Sequence, residues 1–276
     1  MISKTHLFVP ALLAVIVAAC AVSPTGRRQL ALVSEDSAIV ASEEAYTMQI
    51  GDLRKAGKIV SESSSVARRG DAITGRLVAQ AILMRPETAD WEWSIEVIED
   101  PEMVNAWCMA GGRMAIYTGL IQKLDPTDDE LAQVLAHEIS HALANHTAER
   151  MSVAIATNAG VALAGVLSED SQRAMSTAGL AAALAIQMPN SRTAESEADE
   201  IGIELAAKAG YNPNAAISLW QKMASASGGG PPQFLSTHPS PANRQQRLAE
   251  LAPQMMAYYE QARRNPLTRS VARADN

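Results

Sequence analysis

The chain has 276 residues, 47% of them apolar and 4% aromatic, with a formal net charge of −7 and a pI near 5.3. That apolar content can build one large core or two small ones, and abundant alanine favours helices. The acidic balance argues against a nucleic-acid partner, which would ask for a basic face.

Residues 1–20, "MISKTHLFVPALLAVIVAAC", place Lys4 before an apolar run from Leu7 to Ala19. The run is too short to span a membrane and fits the apolar region of an export signal. Small residues lead into Cys20, and "VAAC" resembles the lipobox of bacterial lipoproteins, in which the cysteine is lipidated and becomes the mature N-terminus. The plainer alternative is an export signal with an incidental cysteine. Lipidation predicts a membrane-attached protein of the bacterial envelope facing the periplasm, and Ala21 after the cysteine suggests the outer membrane. Residues 21–33 then read as a tether, 34–262 as a single domain and 263–276 as a disordered tail. Cys108, the remaining thiol, sits in an apolar run and is expected to be a buried small hydrophobe.

Helical patterning runs from Ser34 to about Lys55 and again over 67–84, ending before Pro86, with "GKIVSESSSVARRG" as the loop between. The pattern then changes period. "WEWSIEVIED" alternates apolar and polar residues, and "MVNAWCMA" and "RMAIYTG" flank Gly111-Gly112, a connection typical of a hairpin. A small antiparallel sheet of about three strands is expected before the next helix. That helix has a marked start: Thr127 and Glu130 make a capping box after Pro126, and the helical pattern runs on past Arg150 without a breaker. Residues 151–188 are Ala-rich and apolar apart from "SEDSQR", which suggests a buried or lipid-grazing helical pair. Further helices are expected within 191–210, from Pro213, and after the flexible "SGGGPPQ".

The chemistry gathers in "LAHEISHALANH". His137 and His141, four residues apart, lie about 40° apart around a helix and one turn apart along it. Two imidazoles so placed can reach one zinc ion, and Glu138 between them can take a proton from water that the zinc acidifies, the logic of the H-E-x-x-H signature. The bland alternative is a solvated helix face. His146 would fall about 180° from His137 on a continuing helix, so it reads as structural or surface. Gly and His are missing at the third and sixth positions after His141, which removes the metzincin class.

A catalytic zinc takes three protein ligands, so one must come from elsewhere. "AESEADE" offers Glu195, Glu197, Asp199 and Glu200. Glu195 and Asp199 share a helix face, so one could bind metal while the other holds a ligand histidine; Glu197 points to another face. Glu200 and Glu204 have the same spacing, and helical phase alone does not choose between the pairs. His238, in "STHPSPANR", could donate to the oxyanion of a tetrahedral intermediate, or swing in as a fourth zinc ligand and silence an enzyme.

Together these segments resemble peptidase family M48, the zinc metallopeptidases that include the HtpX proteases and type I CAAX prenyl proteases. The resemblance rests on "NAWCMAGGRMAIYTGLI", "ELAQVLAHEISHALANH", "SRTAESEADEIGI", "AGYNP" and "STHPSPANR", in that order. It implies an α+β, mostly helical gluzincin-type domain with one zinc per chain on His137, His141 and Glu195. It also implies that Asp199 supports a ligand histidine and Glu138 is the general base. His238, with Arg244, would steady the oxyanion. The strand containing Asn105, Ala106 and Trp107 would hold an extended substrate by strand addition. The implied task is cleavage of unfolded or damaged envelope proteins. Rival readings are a chaperone-like outer-membrane assembly factor with little proteolysis and a structural zinc lipoprotein.

Overall fold

The computed structural model describes residues 20–167, 189–226, 232–239 and 243–271. The expected export signal, up to residue 19, and the second half of the expected 151–188 helical pair lie outside the described residues, as do the side chain of Cys20 and parts of the two loops around His238. Among the described residues no helix is long and apolar enough to cross a membrane.

The chain divides into two compact units: Met1–Ala38 with Thr147–Met188, and Ile39–His146 with Pro189–Asn276. In the first unit the expected tether is an antiparallel hairpin, β1 (Cys20–Val22) and β2 (Arg28–Leu30). It is fastened rather than free: Arg27 makes two hydrogen bonds of 2.7 and 2.6 Å to the Glu149 carboxylate, and the Val33 amide donates to Ser152 Oγ at 2.9 Å. These partners lie more than a hundred residues away, so local composition gave no sign of them.

The second unit carries the main core. Helices α1 (Glu35–Lys55) and α2 (Ser65–Met84) form where their patterning predicts, and the Ser64 hydroxyl caps α2 by accepting from the Ala67 amide at 3.0 Å. A 3-10 turn at Pro86–Asp90 leads into β3 (Ser94–Ile98), then β4 (Ala106–Cys108) and β5 (Arg113–Tyr117). The strand order is β3-β5-β4, with β4 antiparallel to β5 but β3 parallel to it. The expected antiparallel sheet is therefore mixed. The reason is the 99–105 connection, which crosses the end of β5 and is held there by Asp100 N to Thr118 Oγ1 (2.9 Å) and Gly119 N to Asp100 O (3.0 Å). The chain thus reaches the far edge first, and β5 inserts between its predecessors. The outer edge of β3 is closed by the preceding loop, through Val60 N to Val97 O and Glu99 N to Lys58 O.

The hairpin between β4 and β5 turns where the two glycines stand, at φ +85° and +86°. A Cβ on Gly112 would lie 2.6 Å from Cε3 of Trp93, so this position needs glycine for space as well as for backbone.

After the short α3 (Thr118–Leu124) comes α4 (Asp128–Leu143), whose capping box is complete: Thr127 N to Glu130 Oε2 at 2.8 Å and Glu130 N to Thr127 Oγ1 at 3.2 Å. The helix does not run past Arg150 as expected. It stops at Leu143, Asn145 takes the left-handed conformation (φ 54°), and α5 (His146–Leu167), which belongs to the first unit from Thr147 on, starts afresh. Asparagine tolerates that conformation better than most residues. Arg85 then satisfies the freed end, donating to Leu143 O at 2.8 Å and Asn145 Oδ1 at 3.3 Å. α6 (Arg192–Lys208), α7 (Ala215–Ser225), the single-turn α8 (Gln233–Thr237) and α9 (Arg244–Ala262) complete the unit. The tail expected to be disordered is described to residue 271 and bonds to α2, Arg269 N donating to Gly75 O at 3.0 Å.

Every residue of α4 from Glu130 to Leu143 is buried. A solvated helix face would show the opposite pattern. Its closest neighbour is α6: a Cβ on Gly202 would lie 3.1 Å from the His137 Cα and N atoms, so the two helices touch nearly backbone to backbone at the H-E-x-x-H motif.

Candidate metal centre

Four side chains converge in the second unit: His137, His141, Glu195 and His238 each offer a ligand atom within 4.8 Å of the others. His137 Nε2 lies 3.1 Å from His141 Nε2 and 3.2 Å from Glu195 Oε2, and His141 Nε2 lies 3.3 Å from Glu195 Oε1. His238 Nδ1 is 2.9 Å from Glu195 Oε1 and 3.4 Å from His137 Nε2. A tetrahedral zinc with arms of about 2.0–2.1 Å sets its ligand atoms about 3.3 Å apart. The donor set, two to three imidazoles and a carboxylate, and its spacing both fit that ion.

The site is dry. Glu195 is 0% exposed, and His137, His141, Glu138 and His238 are buried with it. Burial opposes charge on His137, yet the Glu195 carboxylate and hydrogen bonds to Asp199 and Glu195 raise its pKa to about 9 without a metal. Burial pushes the His141 ring well below its ordinary value, against the pull of Glu195. Glu195 overcomes its own burial through the charges of His137 and His141, which hold it far below the usual carboxylate range. Convergent buried groups that perturb one another this strongly fit a metal centre.

Behind the ligands stand their supports. His137 Nδ1 lies 3.1 Å from Asp199 Oδ1, the contact that fixes a metal-binding imidazole in the tautomer with Nε2 free. Arg244 is 3% exposed, with Nη2 donating to Asp199 Oδ1 at 2.6 Å and to Glu195 Oε2 at 3.2 Å. Its guanidinium stacks 3.5 Å from the Trp220 ring centroid. These bonds tie Arg244 to both carboxylates. Of the two acidic pairs on α6, Glu195 and Asp199 face α4, while Glu200 pairs with Arg247 and Glu204 with Lys208 near the surface.

Glu138 lies beside the ligands, its Oε1 3.4 Å from His238 Nε2. His238 therefore spans from Glu195 to Glu138, and Phe234 stacks on its ring at 4.4 Å between centroids. Asn190 secures the same segment, its amide donating to Thr237 O at 3.1 Å.

The predicted substrate strand is an edge strand. Asn105 O accepts from Tyr117 N and Met109 N donates to Arg113 O, so the ladder turns the backbone groups of Ala106 and Cys108 away from β5. Asn105 and Trp107 instead face their partner strand with their backbones, and Trp107 packs its ring edge-on to Tyr46. Cys108 was not among the expected substrate residues, though period-2 counting from Ala106 reaches it. As expected it is buried; burial, then the nearby Glu138 charge, pushes its thiol pKa well up.

His146 is buried at 1% exposure and is not one of the four converging groups; it contacts one of them, His141, and Glu197. Sequence reasoning read His146 as structural or surface because it carried one helical phase through a helix that ends at Leu143, and it set Glu197 aside because its face on α6 differs from that of Glu195 and Asp199.

The family model described as Peptidase family M48 matches residues 67–252, from α2 into α9. The mitochondrial metalloendopeptidase OMA1 of Schizosaccharomyces pombe is 36% identical over 182 residues, covering 64% of this chain and 52% of that protein. The metalloprotease YcaL of Escherichia coli is 32% identical over 151 residues, covering 53% of this chain and 58% of that protein. A Vibrio cholerae protein whose name describes a beta-barrel assembly-enhancing protease is 33% identical over 150 residues, covering 51% of this chain and 31% of that protein. The chain thus spans about half or less of the length of several curated relatives, and the family match takes in all four candidate ligands. This chain belongs to peptidase family M48.

Proposed function

We propose that the protein is a zinc-dependent endopeptidase of the bacterial cell envelope, anchored by lipid on Cys20 and directed at misfolded or damaged envelope proteins. The observation that carries the catalytic part is the convergence of His137, His141 and Glu195 at zinc spacing with the Glu138 carboxylate beside them. Zinc bound there would supply Lewis acidity, making water acidic enough to give up a proton near neutral pH. Glu138 accepts that proton on its carboxylate and passes it to the departing amide nitrogen, so that one water is consumed per peptide bond broken. The outward backbone groups of Ala106 and Cys108 pair with an extended substrate, which selects for unfolded chains and asks little of sequence.

His238 fills the fourth corner in this conformation, and Ala106 and Cys108 are buried. The arrangement is closed, and His238 reads as a cap that must leave before a substrate can enter. The envelope assignment is supported by the lipobox-like "VAAC" and by the bacterial relatives' names.

Casein digestion by the purified protein tests the catalytic claim. Glu138→Gln should abolish cleavage while zinc is retained, and chelation should abolish it in the parent. Cleavage that survives Glu138→Gln at the parent rate would refute the assignment.

A further inference from the structure

The two metal-binding imidazoles of α4 need the same thing: a partner for the ring nitrogen that faces away from the ion. His137 has Asp199. His141 has no carboxylate in that place. Its Nδ1 lies 2.8 Å from Nδ1 of His146, and His146 Nε2 lies 3.1 Å from Glu197 Oε2. All three side chains are buried, with His146 1% and Glu197 5% exposed.

We infer that His146 and Glu197 are positioning residues for the metal centre, a two-step relay that fixes the tautomer and ring plane of His141. The inference rests on the zinc site proposed above. The hydrogen bonds permit one consistent assignment of protons. With His141 Nε2 turned to the ion, its proton sits on Nδ1 and is donated to His146 Nδ1. That nitrogen must then be an acceptor, so the His146 proton sits on Nε2 and is donated to the Glu197 carboxylate. The negative end of the chain makes His146 a better acceptor, and His141 in turn a more electron-rich ligand.

The fold is arranged to make the contact. A continuous helix would carry His146 to the opposite side from His137. Stopping α4 at Leu143, with Asn145 left-handed and Arg85 bonded to the end, folds His146 back against the preceding turn. Glu197 reaches it from α6, the helix that also provides Glu195 and Asp199. One helix thus supplies a ligand and the supports of both ligand histidines.

The test is zinc affinity by competition with a chromophoric chelator, alongside the visible spectrum of the cobalt-substituted protein. Neither readout depends on turnover. His146→Leu should weaken zinc binding by 10–100-fold and alter the cobalt spectrum. His146→Asn, which can return an acceptor oxygen near the Nδ1 position, should recover most of that loss. Glu197→Gln, which keeps the side chain's size and removes its charge, should weaken binding about tenfold and serves if His146→Leu does not fold. The relay is refuted if Glu197→Gln and His146→Leu bind zinc as the parent does. It is also refuted if His146→Asn is as weak as His146→Leu, because filling space would then be the whole role. A parent that binds no zinc would sink the proposed metal site and the relay with it, whereas a zinc-binding parent with unaffected variants sinks the relay alone.

Discussion

Loading the metal means taking a proton from His137. Its pKa near 9 in the metal-free protein arises because Glu195 and Asp199 outweigh burial, so zinc must displace a proton at neutral pH. Apparent zinc affinity should therefore rise about tenfold per pH unit from neutrality toward pH 9, and chelator competition over that range checks it; a flat profile would contradict the pKa. The sign for the empty fold is opposite. His137 is raised above its ordinary 6.5, so the stability it lends is full below that value and is lost as pH rises through about 9. His238 makes a second residue-scale prediction. As a cap, its replacement by alanine should raise the initial rate of casein cleavage; as an oxyanion donor, the same change should lower it by 10²-fold or more. These residue identities were legible because the H-E-x-x-H spacing has a direct geometric meaning. The contacts of Arg244, His146 and Glu197 were not, since each depends on what another element brings beside it.

At the scale of elements, the sequence declared starts better than stops. Thr127 and Glu130 announce the beginning of α4, because a capping box is local chemistry within four residues. Its end depends on Arg85, some sixty residues upstream, and no local pattern reveals that. Strand existence was readable from alternation, but the sense of pairing was not: whether β3 meets β4 or β5 is decided by where the 99–105 connection lands. The glycine pair was legible as a turn, and its backbone at φ +85° and +86° explains why. Gly112→Ala should destabilise the fold by about 2 kcal/mol or more, because Trp93 occupies the space a methyl would need. Urea unfolding measures this, and a change below about 0.5 kcal/mol would show that the hairpin yields.

For the whole molecule, function concentrates in one of its two compact units. Residues 39–146 and 189–276 hold the three-stranded sheet, the candidate ligands and their supports, and the family match, residues 67–252, takes in all of these and also 147–188 of the first unit. The first unit turned out more ordered than composition suggested, because the pairing of Arg27 with Glu149 is a long-range contact. A metal at the centre would join α4, α6 and the segment after α8, elements that sequence order keeps far apart. The most direct measurement is elemental analysis of the purified chain beside its Glu195→Ala variant. The account predicts one zinc per parent chain and loss of stoichiometric zinc from the variant, with the variant still folded by circular dichroism. A folded parent without stoichiometric metal, or a variant that keeps its full complement, would contradict it.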